Sequence, residues 1–324
     1  MTTVLITGMA GFVGSHLADL ILQDPSNTVA GVLHPTHEIQ HLEEHPRVEI
    51  YREDILNAER MTKLIASISP QVIYHLAGMA HVHESWKNRK EAIETNFLGT
   101  FHLLEACRAL PQFPKILIVG SGECYGVVPA EEQPIRESRP FAPTSPYAVS
   151  KIAQEMLAIQ YAKAEGLPVY ISRSFNHTGP RQKETFVCSA FARQIAVAEL
   201  SGNDSEIQVG NLIARRDFLD VRDVVRAYQA ILDRGVAGEP YNVCSEKAVS
   251  IEEILEILIG HSPAKFRVIA DPEKFRPADM PLLVGSSEKL RAQTGWQPSY
   301  NIHSTLCDLL DYWRSRVKMQ TPVS

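Results

Sequence analysis

Two hydrophobic rhythms alternate through the first half of the chain. Short β-branched or continuously apolar runs stand at 3–8, 28–34, 48–55, 72–78, 115–123 and 168–176. Between them, at 11–23, 57–68, 88–110 and 146–166, apolar residues recur every three or four positions. The first rhythm predicts strands and the second predicts helices. Strands alternating with helices imply a parallel sheet covered on both faces and wound by right-handed crossovers. Val72-Ile73-Tyr74-His75-Leu76 and Ile116-Leu117-Ile118-Val119 are nearly all apolar, as strands sandwiched between two helix layers must be. The expected fold class is therefore α/β: a doubly wound, parallel-sheet Rossmann domain over 1–176.

After residue 176 the rhythm breaks. Gly, Pro, Asn and Arg punctuate shorter elements, with helical periodicity at 189–200, 250–261 and 303–316. A smaller C-terminal α/β substrate lobe is expected over 177–214 and 246–324. The stretch at about 215–245, with a helix around Asp223–Leu232 and the short run Tyr241-Asn242-Val243, is expected to rejoin the first sheet.

Composition narrows the function. The 324 residues, 44% hydrophobic, can bury a large core, and a net charge of −6 offers no general attraction for polyanions, so nucleic acid is not an expected partner. No run of eighteen apolar residues and no basic start with a cleavage pattern is present, so we expect no membrane span and a cytoplasmic location. Five cysteines without CxxC spacing predict neither a disulfide framework nor a zinc knuckle. His81-Val82-His83 has no carboxylate or cysteine at useful spacing; it reads as a loop, and no metal is expected.

The chemistry begins at Thr7-Gly8-Met9-Ala10-Gly11-Phe12-Val13-Gly14, directly after the first strand and opening the first helix. Glycines there let backbone amides approach a pyrophosphate, and the helix N-terminus adds partial positive charge. The end of the second strand, Gly31-Val32-Leu33-His34-Pro35-Thr36-His37, lacks the acidic residue that would hold the ribose hydroxyls of NAD, and also lacks an arginine. It leans toward NADP over NAD through His34. Asp54-Ile55, after the third strand, can meet the adenine, or Asp54 can be a solvated strand end.

Pro146-Tyr147-Ala148-Val149-Ser150-Lys151 opens a long helix, with Tyr147 and Lys151 one turn apart on one face. A nearby ammonium is expected to favour the phenolate of Tyr147 and tune it for proton transfer. The strand end Val119-Gly120-Ser121-Gly122-Glu123-Cys124-Tyr125-Gly126 should emerge at the carboxyl edge of the sheet, where a Ser121 hydroxyl can bond a carbonyl oxygen.

These segments, with His75-Leu76-Ala77-Gly78, Asn96-Phe97-Leu98-Gly99-Thr100 and Arg173-Ser174-Phe175-Asn176-His177-Thr178-Gly179-Pro180, resemble the extended short-chain dehydrogenase/reductases of the nucleotide-sugar epimerase/dehydratase type along essentially the whole chain. The resemblance implies Ser121, Tyr147 and Lys151 as the catalytic trio, with Lys151 also holding the nicotinamide ribose. It implies dinucleotide contacts at Gly8, Gly11, Phe12, Val13, Gly14, His34, Asp54, Ile55, Leu76, Ala77, Gly78 and Asn96.

The second half is similar to GDP-sugar members of that family at Gly210-Asn211-Leu212, Ala214–Asp223, Arg276-Pro277-Ala278-Asp279 and Gly295-Trp296-Gln297-Pro298. This implies a GDP-hexose substrate, with Arg216 and Arg276 forking onto phosphate oxygens and Asp279 accepting from guanine or ribose. Arg215 reads as an ordinary surface ion pair. Ser85 and Asn176 are further expected substrate contacts; Trp86 is equally suited to the sugar or the core, and His177 reads as a packed histidine.

The implied reaction is reduction of GDP-4-keto-6-deoxy-D-mannose to GDP-D-rhamnose by hydride from NAD(P)H, with Tyr147 as proton donor. Dehydration of GDP-mannose remains open because Glu123 stands where relatives place a base, although Gly122 replaces a hydroxyl or carboxylate. A 4-epimerase is a further alternative, and a non-catalytic dinucleotide sensor is the remaining class. The likeness also implies a homodimer built from the helices at 88–110 and 146–166.

Overall fold

The structure, a computed structural model, describes residues 1–38, 42, 44–201, 205–272 and 280–320. Its first part runs β1 (Thr2–Thr7), α1 (Phe12–Leu22), β2 (Asn27–Leu33), β3 (Val48–Arg52), α2 (Ala58–Ile68), β4 (Val72–His75), α3 (Val82–Lys87), α4 (Arg89–Ile93), α5 (Gly99–Arg108), β5 (Lys115–Ser121), α6 (Pro146–Ala164) and β6 (Val169–Ser174). The second part runs β7 (Asn176–Thr178), α7 (Val187–Ser201), β8 (Ser205–Val209), β9 (Arg215–Asp220), α8 (Val221–Arg234), β10 (Pro240–Val243), β11 (Ala248–Ser250), α9 (Ile251–Gly260), β12 (Phe266–Ala270), β13 (Leu282–Leu283), α10 (Glu288–Thr294) and α11 (Ile302–Gln320).

Seven strands form one parallel sheet in the order β10-β6-β5-β4-β1-β2-β3. Leu17 and Ile21 of α1, Val224 and Ile231 of α8, and Leu290 of α10 cover one face. Met61 and Ile65 of α2, Leu103 and Leu104 of α5, and Ala158 and Tyr161 of α6 cover the other. This is the two-sided burial that continuous apolar strands predict. The chain reverses its direction of winding between β1 and β4, and ligands of open α/β sheets bind outside the strand ends at such a point.

Beyond the sheet, β9 pairs with β7, β11 and β13, while β8 pairs with β12. Helices α7, α9 and α11 bury Phe191, Ile254, Leu309 and Trp313 in a separate apolar cluster. β10 joins the large sheet beside β6, and α8 lies on it, whereas β9 belongs to the small one. A fourth cluster, with Cys124, Tyr125, Phe175, Cys244, Met280 and Leu283, fills the seam between the two parts.

Three local readings are corrected. The helix predicted at 88–110 is three pieces: α4, a π-helical turn over Glu94–Leu98, and α5. The wider turn lets buried Asn96 bond both the Met79 backbone and Ser150 instead of continuing the helical surface. The strand predicted at 115–123 stops at Ser121, and Gly122–Tyr125 forms a 3₁₀ turn. His81-Val82-His83 is the start of α3 and not a loop, with His81 at the N-cap. Cys107, Cys124, Cys188 and Cys244 are buried free thiols, and Cys307 is half-buried. Among the described residues no helix is long and apolar enough to cross a membrane, and no group of three or more potential ligands could hold a metal ion.

Candidate active site

The loops after β1, β2 and β4 converge at the point where the winding reverses. Gly8 N–H donates to Val32 O at 2.8 Å, and Leu76 N–H to Thr7 O at 3.1 Å. Gly8 has φ +74°, and a Cβ there would stand 2.8 Å from Ala77 N; a Cβ on Gly14 would stand 2.5 Å from Gly8 O. Gly8 requires glycine for conformation and space, and Gly14 for space. Gly11 precedes α1 without a side-chain cap, and the first turn carries no acidic residue. The first amides of α1 therefore remain as donors in a positive helix-end field, which fits a pyrophosphate. Leu76, Ala77 and Gly78 line the facing loop, and the Phe12 ring stacks on His177 at 6.0 Å.

At the end of β2, His34 Nδ1 and Thr36 Oγ1 lie 2.7 Å apart, and His34 Nε2 stands 4.0 Å from Asp54. Asp54 also accepts from Leu56 N–H at 2.9 Å. Ile55 is buried, its side chain filling the space beside Gly99. The sequence reading missed Arg52. β3 pairs with β2 so that Arg52 lies beside Leu33, and Arg52 donates to His37 O at 2.8 Å. An arginine therefore stands beside the second strand's end, and only strand register reveals it.

The reactive side chains meet where β5 and α6 end and begin. Ser145 caps α6 by accepting from Ala148 N–H at 3.1 Å, with Pro146 in the first turn. Tyr147 is buried beneath that cap, with the Ser121 hydroxyl near enough to its phenol to favour the phenolate. Burial outweighs the lowering effect of the Ser121 hydroxyl and, with smaller contributions from Glu123, Tyr228 and Cys124, pushes the phenol well above its ordinary range. Lys151 is equally buried; its Nζ donates to Val119 O at 2.7 Å and to Gln154 Oε1 at 2.8 Å. Burial pushes it down to about 7.

The expectation that Lys151 lowers the phenol is therefore corrected. Its ammonium is directed to neutral acceptors across the helix, and the phenol stays protonated because desolvation dominates. Glu123 follows Ser121 on the 3₁₀ turn, its N–H donating to Ser121 Oγ at 3.2 Å. Gly122 has the Phe175 ring against it, 3.1 Å from where a Cβ would sit, and Gly285 presses the ring from another direction. The turn accordingly offers two polar side chains, Ser121 and Glu123, with no room beside them. Phe175 was not singled out by sequence, since its role depends on two glycines far apart in the chain.

Other expected residues take supporting places. Ser85 is fully buried, donates to Val82 O at 2.6 Å and accepts from Tyr147 N–H at 3.1 Å. It thus fixes the backbone of α6 and presents no surface to a sugar. Trp86 is exposed under Arg89 and is not a core anchor. Asn96 ties the loop after β4 to α6. Asn176 is half-buried at the start of β7, and His177 Nδ1–H donates locally to Phe175 O at 2.9 Å.

Arg216 is buried and donates to Met280 O at 2.6 Å, while Arg215 pairs with Glu253. Arg276 and Asp279 lie outside the described residues. Sequence reading also missed Gln154, three residues after Lys151 and on the same helical face.

The family model described as GDP-mannose 4,6 dehydratase matches residues 5–309. A GDP-6-deoxy-D-mannose reductase from Pseudomonas aeruginosa is 35% identical over 97% of this chain and 98% of its own. A GDP-mannose 4,6-dehydratase from Vibrio cholerae is 28% identical over 94% of this chain and 92% of its own. Among solved structures, RMD from Pseudomonas aeruginosa complexed with NADPH superposes with a TM-score of 0.85 at 34% identity, covering 98% of this chain and 100% of that one.

Proposed function

The chain belongs to the GDP-mannose 4,6-dehydratase family, and from that premise we propose that it is an NAD(P)-dependent reductase converting GDP-4-keto-6-deoxy-D-mannose to GDP-D-rhamnose. The observation that carries the proposal is the buried Tyr147 phenol beside the equally buried Ser121 hydroxyl, with burial favouring the neutral, proton-donating form. A protonated phenol is the donor that ketone reduction needs. The likeness to the Pseudomonas reductase over nearly the whole chain supports the same direction.

When bound, the reduced nicotinamide dinucleotide supplies hydride to the ketone carbon. Tyr147 gives its proton to the sugar oxygen as charge develops there. Ser121 donates to that same oxygen and stabilises it in a site from which water is largely excluded. Lys151, with two donors engaged by Val119 and Gln154, retains one for the crevice. The first amides of α1 and the loop at Gly78 hold the dinucleotide, and Arg52 with His34 favours a 2′-phosphate, hence NADP over NAD. Asn176, Arg216, Arg276 and Asp279 are proposed contacts of the GDP-hexose. Ile93, Leu98, Phe101, Val149 and Met156 leave apolar surface exposed on α4, the π-helical turn, α5 and α6, which supports a homodimer through this face.

Glu123 favours a second reading, GDP-mannose 4,6-dehydratase, because it is close enough to raise the Tyr147 phenol and so to act on the same sugar. The test supplies purified protein with GDP-4-keto-6-deoxy-D-mannose and NADPH or NADH, and in parallel with GDP-mannose and oxidised dinucleotide. Loss of reduced-nicotinamide absorbance in the first, unaffected by Glu123→Gln, is the expected result. A keto-sugar formed from GDP-mannose and abolished by Glu123→Gln would replace the reductase with the dehydratase.

A further inference from the structure

Lys151 is held by a buried polar spine that starts at the dinucleotide turn. Ala77 N–H donates to Thr7 Oγ1 at 3.2 Å, and Thr7 Oγ1 stands 2.8 Å from His75 Nδ1. His75 Nε2 stands 3.0 Å from Thr100 Oγ1, whose hydroxyl donates to Asn96 O at 2.7 Å. Gln154 Nε2 donates to the same Thr100 oxygen at 2.7 Å, and Gln154 Oε1 accepts from Lys151 Nζ at 2.8 Å. Thr7, His75, Thr100 and Gln154 are all essentially inaccessible to solvent.

The proton inventory permits one arrangement. The Thr100 proton is committed to Asn96 O, so His75 Nε2 carries a hydrogen and donates to Thr100. His75 Nδ1 is then an acceptor, and the Thr7 hydroxyl donates to it. Gln154 has its amide nitrogen committed to Thr100, so its oxygen is fixed toward Lys151. His75 stays neutral, pushed down to about 3 by burial and then by the Lys151 charge. A charged imidazole would break the pattern.

We propose that Gln154 is a positioning residue: it aims the Lys151 ammonium into the crevice through a neutral amide oxygen whose direction is set by the Thr7–His75–Thr100 spine. The inference rests on the proposed reductase, because it gives Lys151 work to do there. A neutral acceptor orients the ammonium and stabilises its charge less than a carboxylate would. That choice agrees with the lysine pKa, which desolvation lowers.

The charged and titratable groups around Lys151 are few. His75 faces it from β4, and Tyr147 shares its helix. Glu155 of α6 is already forked onto Arg173 of β6, at 2.6 Å. Glu123, on the turn after β5, acts on Tyr147.

The test follows Lys151 directly. Protein carrying carbon-13 at lysine Cε is titrated by NMR, with the Lys151 resonance identified from Lys151→Met. Gln154→Glu places a carboxylate against the ammonium and should raise the Lys151 midpoint by about one unit or more. Gln154→Met keeps the shape, removes the acceptor and should lower the midpoint. In turnover, the alkaline limit of keto-sugar reduction should move with each midpoint, and Gln154→Met should lower kcat more than it raises KM for NADPH.

The NMR readout needs no sugar, so a protein that reduced no GDP-keto-sugar would sink the reductase and leave this inference standing. Unmoved Lys151 midpoints in both variants would overturn the inference while leaving the reductase intact. Near-UV circular dichroism reports whether Gln154→Glu folds; should it fail to, Gln154→Met decides alone, a lowered midpoint supporting the proposal and an unchanged one refuting it.

Discussion

Gly122→Ala is the smallest perturbation that tests how the catalytic turn is held. The added Cβ would stand 3.1 Å from Cγ, Cδ2 and Cε2 of Phe175, inside the roughly 3.5 Å at which carbon contacts become favourable. The ring cannot simply retreat. A Cβ built on Gly285 would lie 2.5 Å from its Cε2 and 2.6 Å from its Cζ, so the phenyl already rests against that backbone, and it is buried. The 3₁₀ turn must therefore move by a few tenths of an ångström, carrying Ser121 and Glu123 with it. Overpacking of this kind costs about 1–3 kcal/mol, and each kcal/mol lowers Tm by roughly 2–4 °C in chains somewhat smaller than this one.

Misplacing Ser121 relative to Tyr147 should cost about tenfold in kcat, equivalent to about 1.4 kcal/mol of barrier. Thermal melts and steady-state reduction of the GDP-keto-sugar measure both effects. The discriminating double variant is Gly122→Ala with Phe175→Leu, whose smaller side chain makes room. If the contact is the cause, it is less impaired than the sum of the two single variants, a coupling of the kind found between touching residues. Strict additivity, or a Gly122→Ala enzyme with wild-type Tm and kcat, would refute the reasoning.

Tyr147→Phe removes the proton donor and should lower kcat about 10²–10⁴-fold with little change in dinucleotide affinity by fluorescence titration. Arg52→Ala should weaken NADPH binding while leaving NADH nearly unaffected, read from the two KM values. Because burial lowers Lys151 to about 7 from its ordinary value of 10.5, the unfolded chain binds the extra proton between these values. Stability relative to Lys151→Met should then rise with pH across that window, by up to about 1 kcal/mol per pH unit, as denaturant melts at pH 7, 8 and 9 would show. Phe101→Asp puts charge on the exposed apolar face and should yield monomers by sedimentation if that face joins two copies.

The parts of this molecule that sequence alone makes legible are those governed by local chemistry. The alternation of apolar strands and amphipathic helices declares the large sheet, and the glycines at 8 and 14 declare a turn that admits no side chain. Tyr147 and Lys151 appear on one helical face because four residues make about one turn. Much of what is misread depends on partners distant in the chain. The π-helical turn at 94–98 exists because Asn96 bonds Met79 and Ser150, 17 and 54 residues away in sequence. Arg52 comes beside the end of β2 by strand register, and Phe175 meets Gly122 and Gly285 across the seam between the two parts of the chain.

The fate of Lys151 shows most clearly why spacing and mechanism are different questions. Helical periodicity correctly puts its ammonium one turn from the phenol, and from that proximity a phenolate follows if both groups face the same water. They do not. Both are buried, so desolvation raises the phenol and lowers the ammonium, and the two nearest acceptors of the lysine are uncharged. A low dielectric penalises each charged form separately, and mutual attraction offsets this only where the charges are directed at one another. The phenol is consequently kept in its neutral proton-donating form, with the Ser121 hydroxyl beside it and the neutral Gln154 amide directing the lysine. An enzyme that must hand a proton to a sugar oxygen as negative charge appears there gains from that arrangement.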